Sequence, residues 1–207
     1  VNHLAHFLLA PEDDQARAGT LLGDFVRGAD LGTWPEPVEQ AIRLHRRIDS
    51  HTDSHEAVRA ARAAAPADLR RYAGILLDVW FDHHLIATWK RWSDTPLDSY
   101  AGDAHASLAR CATFMPEPAA TVAANLSRYR GLTACATPDG MARVLQRIGR
   151  RLKKPVALDQ GLPHLMRHEA LLAEAFETLF PDLRRVAADY LAGSSLRMRP
   201  SPLSVSR

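Results

Sequence analysis

Cysteine is scarce in this sequence: Cys111 and Cys135 stand alone, with no CxxC spacing. That pattern excludes a disulfide framework and a thiolate zinc site, and it suits a reducing compartment. No apolar run approaches the length of a membrane span, so no membrane role is expected. The opening Val1-Asn2-His3-Leu4-Ala5-His6 lacks the charged head and apolar middle of a signal peptide, so a soluble, cytoplasmic chain is expected. Charge of one sign is also lacking. A net charge of +2 on 207 residues does not mark a nucleic-acid binder. There is no Gly-x-Ser-x-Gly nucleophile elbow, and Gly19 and Gly23 have no phosphate-loop context. Alternating apolar and polar runs are missing, which leaves little room for strands.

What is present is helical pattern. Apolar residues make up 46% and charged residues 24%, with Ala, Leu and Arg dominant, as in an ordinary globular protein. We read one all-α domain over residues 1–192 and a disordered tail over 193–207, which is rich in Ser, Pro and Arg. The expected helices are 2–10, stopped by Pro11, then 12–27, then one from Val38 through residue 53. Ser54 is placed to cap a helix over 56–64, and 68–92 reads as one long helix. Further helices are expected over 97–114, 119–129, 139–152, 161–179 and 181–191. Gly19, inside the second helix, suggests a kink or a close approach.

The chemistry concentrates early, with seven of the ten histidines before residue 85. In His45-Arg46-Arg47-Ile48-Asp49-Ser50-His51-Thr52-Asp53, helical geometry sets His45 and Asp49 on one face at i,i+4, and Asp53 extends that row. Such an imidazole and carboxylate can grip a divalent metal while neighbouring guanidiniums hold phosphate. A surface laced with ion pairs is the alternative. Asp78 and Asp82 form a second i,i+4 pair inside the apolar sequence Leu77 to Leu85. Buried carboxylates need a counter-charge, either a cation between them or an arginine for each. Asp24 is another acid among apolar neighbours, with Arg27 within pairing reach, and His6 follows Asn2 at i,i+4. Mixed His and carboxylate ligands suit Mn, Mg or Fe. The run 141–154 carries Arg143, Arg147, Arg150, Arg151, Lys153 and Lys154, a solvated face or a dock for an acidic partner.

Four blocks then resemble a known family. Asn2-x-Leu4-Ala5-His6, Leu21-Leu22-Gly23-Asp24-Phe25-Val26-Arg27-Gly28, His45-Arg46-Arg47-Ile48-Asp49-x-x-Thr52-Asp53 and Asp78-x-x-x-Asp82-His83-x-Leu85 resemble the acyl-carrier-protein phosphodiesterases in order, spacing and residue type. The resemblance covers about the first 90 residues. It implies an all-helical fold related to HD-domain phosphohydrolases. It also implies a Mn-preferring hydrolase that removes 4′-phosphopantetheine from a serine of holo-acyl carrier protein (holo-ACP). Thr20 departs from the family pattern, and His3, His51 and His84 are imidazoles that the motifs do not require.

On this reading a subset of Asp24, His45, Asp49, Asp78 and Asp82 holds the metal. Arg46, Arg47 or Arg27 neutralises the phosphate, and His83 or His6 protonates the leaving oxygen. The partner is holo-ACP, an acidic protein, and no nucleic acid or membrane is involved. Two rivals stand beside it. One is an HD-type metal phosphohydrolase acting on a nucleotide or other small phosphoester. The other is a non-catalytic helical interaction protein whose polar clusters are ion pairs.

Overall fold

The computed structural model describes residues 2–63 and 65–195, and the expected tail from residue 196 onward lies outside them. All regular structure among the described residues is helical: α1 His3–Leu9, α2 Asp14–Leu22, α3 Glu36–Ser54, α4 Glu56–Ala63 and α5 Ala73–Ala87 come first. They are followed by α6 Leu97–Cys111, α7 Glu117–Arg128, α8 Pro138–Arg151, α9 Leu162–Arg167 and α10 Glu169–Ser195. The all-α expectation is met.

Helix starts follow local chemistry. Asp13 caps α2 by accepting from the Ala16 amide at 2.9 Å, and Thr137 caps α8 through the Gly140 amide at 3.1 Å. Prolines open α3, α7, α8 and α9, where a missing N–H costs nothing.

The centre of the molecule is α5. Leu76, Leu77, Val79, Trp80, Phe81 and Leu85 are all buried, so the helix is covered nearly all round. It meets α1, α4, α8 and α10 and the 3-10 turn Gly131–Ala136. From α10, Phe176 packs on Phe81 with ring centres 5.6 Å apart. Leu179, Phe180 and Leu183 continue that buried face. The second axis is the α2–α3 pair. A Cβ on Gly19 would come within 2.4 Å of the Val38 carbonyl oxygen, so the glycine marks a close approach and not a kink.

The boundaries differ from the expected ones for physical reasons. Helix α2 stops at Leu22, five residues early, and the chain turns there to bring Asp24 across α3. Ser54 does not cap α4: it is the last residue of α3, and its hydroxyl donates back to the Ser50 carbonyl at 2.9 Å. The 68–92 segment is α5 between two short 3-10 turns, Arg70–Tyr72 and Trp89–Arg91. Pro181 was expected to separate two helices, yet α10 runs through it, and the break falls earlier at His168. Burial of Phe176, Leu179, Phe180 and Leu183 on both sides of Pro181 outweighs the lost backbone bond. Gly193, Ser194 and Ser195, assigned to the tail by sequence, finish α10.

Candidate metal centre

Five segments meet at one cavity of about 370 Å³. Helix α1 supplies His3 and His6 with the preceding Asn2, and the turn after α2 supplies Asp24. Along α3, His45, Asp49 and Thr52 fall on one face, with Asp53 beside them. Arg62 comes from α4 and Asp78 from α5.

The geometry is tight. The His6 and His45 rings stack with centres 3.9 Å apart and planes 9° from parallel. Asp49 faces both: its Oδ1 is 3.1 Å from His6 Nε2, and its Oδ2 is 3.1 Å from His45 Nε2. Asp24 Oδ1 lies 3.4 Å from the same His45 nitrogen, and its Oδ2 lies 3.6 Å from His3 Nδ1. Ligand atoms of His6, His45 and Asp49 all fall within 4.8 Å of one another. Two ligands on one first-row ion, each bonded at about 2.1 Å, sit about 3.0–3.4 Å apart. The observed separations match that spacing, so these residues fit a divalent metal.

Proton chemistry agrees. Burial works against charge on His45, but the Asp24 and Asp49 carboxylates outweigh it and raise its pKa to about 9. Burial would also raise Asp49, yet the two imidazoles hold it well below the usual carboxylate range. His6 is pushed down to about 4, chiefly by burial, so it is neutral at physiological pH. A metal entering here therefore meets one imidazole already free to ligate and one whose proton it must displace.

Of the five expected metal ligands, Asp24, His45, Asp49 and Asp78 line this cavity, and His6, expected as a proton donor, joins the group nearest the carboxylates. Asp82 is placed elsewhere. It lines a neighbouring cavity of about 170 Å³, to which Asn2 and His3 are common walls. It is 3% exposed, and its Oδ1 has no hydrogen-bond partner among the described residues. The i,i+4 spacing to Asp78 is real, but of the two only Asp78 lines the cavity of His6, His45 and Asp49. His83 turns away too: its Nδ1 donates to the Cys135 carbonyl at 2.8 Å.

The expected phosphate-binding arginines are not at the cavity wall. Arg46 donates to the Gly28 and Val26 carbonyls at 2.6 and 2.7 Å and so braces the turn that carries Asp24. Arg27 and Arg47 are exposed. In their place stands Arg62, anchored to Asp53 at 2.5 Å. Nothing in the sequence marks Arg62, because its nearness to α3 depends on how α4 folds back.

Burial raises the Asp82 carboxyl to about 8. Its folded pKa lies above the unfolded value, so its neutral form stabilises the fold fully below about pH 4, and that contribution is lost as pH rises through about 8. Replacing it with the uncharged amide in Asp82→Asn should stabilise the metal-free chain at pH 7. The ceiling is about 4 kcal/mol, at about 1.4 kcal/mol per pKa unit. Denaturant unfolding from pH 4 to pH 8 checks this, since the gain should vanish toward pH 4. A gain independent of pH would contradict a neutral Asp82.

The family model described as Acyl carrier protein phosphodiesterase matches residues 1–183. A protein of that name from Pectobacterium atrosepticum is 33% identical over 188 residues, covering 90% of this chain and 97% of that protein. Another from Salmonella agona is 36% identical over 198 residues, covering 91% of this chain and 98% of that protein. No solved structure matches. The four blocks that meet around the metal cavity and its neighbour thus lie within a likeness that extends over nearly the whole chain, and the chain belongs to the acyl carrier protein phosphodiesterase family.

Proposed function

We propose that this protein hydrolyses the phosphodiester joining 4′-phosphopantetheine to the serine of holo-ACP, with Mn²⁺ held by His6, His45, Asp24 and Asp49 and supported by Asp78. The observation that carries the reading is the Asp49 carboxylate facing two stacked imidazoles at 3.1 Å each, at the wall of a solvent-reached cavity. Bound there, the ion would lower the pKa of a water ligand and draw charge from the phosphoryl oxygens. Arg62, steadied by Asp53, is placed to neutralise a non-bridging oxygen. His3 stands between the two cavities beside Asp24, where its ring would take up a proton from the attacking water and pass it to the leaving serine oxygen. Burial lowers the His3 pKa, and Asp24 opposes that shift. The neighbouring cavity offers a path for the pantetheine arm, with apolar walls from Leu4, Leu126 and Ile148 and polar groups from Asn125 and Tyr129.

The substrate protein is acidic, and α8 supports its docking. Arg143, Arg150 and Arg151 are exposed on it, and Arg147 and Arg151 reach the second cavity. Kinship with HD-domain phosphohydrolases belongs to the same proposal, as does a cytoplasmic setting. Two free, buried cysteines suit the latter, and no helix among the described residues is long and apolar enough to cross a membrane.

Mass spectrometry of holo-ACP tests the reading. With protein and Mn²⁺ the carrier should lose the mass of phosphopantetheine and become apo-ACP, and excess chelator should stop the loss. Turnover of a nucleotide panel with holo-ACP left intact would favour a small-phosphoester hydrolase instead.

A further inference from the structure

A second cluster of metal-ligating side chains lies outside the centre described above. His51 follows Asp49 by two residues, so it is turned about 200° around α3 from it. There it meets His55, at the α3–α4 junction, and Asp182 of α10. One ligand atom from each of the three falls within 4.8 Å of the others. His55 Nε2 and Asp182 Oδ2 are 3.6 Å apart, too far for a good hydrogen bond. That gap is close to the separation of two ligands on a tetrahedral zinc ion, about 3.3–3.5 Å.

Two further features point to a ligand. His51 Nε2 is buried and has no hydrogen-bond partner among the described residues. A buried polar nitrogen without a partner is costly unless something else satisfies it. Arg185 binds Asp182 Oδ1, which fixes the carboxylate and leaves Oδ2 toward His55. The rings of His51 and His55 are tilted by 54° with centres 5.8 Å apart, unlike the flat stack of His6 on His45. His55 is 13% and Asp182 36% exposed at the side chain, so an ion and a water ligand can reach the group.

We infer that His51, His55 and Asp182 form a second metal site, for a zinc-class transition ion, that fastens the end of α3 to α10. Two imidazoles and one carboxylate suit Zn²⁺, Co²⁺ or Ni²⁺ better than Mg²⁺. His51 and His55 fall outside the motif positions that resemble the family, and none of the three lines the catalytic cavity. The site steadies the helix that carries His45 and Asp49 without touching the reacting atoms.

Co²⁺ titration of the full-length, metal-stripped chain tests this. In an Asp24→Asn/Asp49→Asn background, which disables the catalytic centre, one equivalent of Co²⁺ should bind with the visible absorption of a four-coordinate ion, and Zn²⁺ should displace it. Adding His51→Gln or His55→Gln should weaken that binding by at least roughly tenfold to a hundredfold, the scale seen when a metal site loses a supporting group. Zn²⁺ should raise the Tm of the background and not of these variants. Asp182→Asn, at a partly exposed position, gives the same test with little risk to folding. Circular dichroism verifies the fold of each. Equal Co²⁺ affinity with and without the substitutions, or none in the background, would overturn the site. Mn²⁺-dependent hydrolysis of holo-ACP should survive His51→Gln, so loss of the second site is distinguishable from loss of the first.

Discussion

Asp49→Ala is expected to lower hydrolysis of holo-ACP at least about a hundredfold, the scale on which loss of one transition-state-stabilising contact acts. Helix content should stay native. Asp49 contacts both His6 and His45, through one carboxylate oxygen each. Its removal leaves two parallel imidazoles 3.9 Å apart, with Asp24 3.4 Å from His45 Nε2. The His45 pKa should fall, because Asp49 is among the groups that raise it. A metal held here would also lose the ligand that faces both imidazoles at 3.1 Å. Asp49 is 45% exposed at the side chain and screened by solvent, so the stability change should be small. Steady-state rates at several Mn²⁺ concentrations, beside a far-ultraviolet spectrum, check the claim. Wild-type activity at saturating Mn²⁺ would remove Asp49 from the site.

Gly23→Ala is expected to be nearly as damaging without changing any group that takes part in chemistry. Gly23 has ordinary helical angles, φ −52° and ψ −33°, so backbone preference alone would favour alanine by about 1 kcal/mol. The obstacle is contact: an added Cβ would lie 2.3 Å from His45 Cγ and 2.6 Å from Cδ2. His45 has no retreat, because its other face is stacked on His6. Either the ring leaves the metal position or α2 moves off α3. We expect a loss of about 1–3 kcal/mol in stability and at least a tenfold loss in Mn²⁺ affinity. Gly102→Ala is the control. It lies in α6 with nothing within 4 Å of the added Cβ, and it should be neutral or slightly stabilising. Isothermal titration with Mn²⁺ and thermal unfolding separate the two variants. Unchanged affinity in Gly23→Ala would show that the His45 position tolerates displacement.

These two positions show what could be read before the fold was known. The His45–Asp49 pair was legible because helical spacing alone sets both side chains on one face. Asp24 was legible as an acid with no polar reason to sit between Gly23 and Phe25. The all-α class followed from missing alternation and from Ala, Leu and Arg content. The role of Gly23 was not legible, because a residue needed for contact looks in sequence like one needed for a turn. Asp82 misled for a related reason. Its spacing to Asp78 predicts one shared face, yet a helix buried on nearly all sides can send neighbouring acids into different cavities. Arg46 and Arg47 looked like phosphate ligands by adjacency to the motif, but Arg46 is taken by backbone carbonyls and Arg62 stands at the cavity. Pro181 misled because packing on α10 outweighs local preference.

Anomalous diffraction from crystals soaked in Mn²⁺, recorded at the manganese edge, tests the metal centre most directly. The peak should fall between the Nε2 atoms of His6 and His45 and the carboxylate of Asp49, with Asp24 in reach. A manganese ion bound away from these side chains, or none at saturating Mn²⁺, would contradict the account.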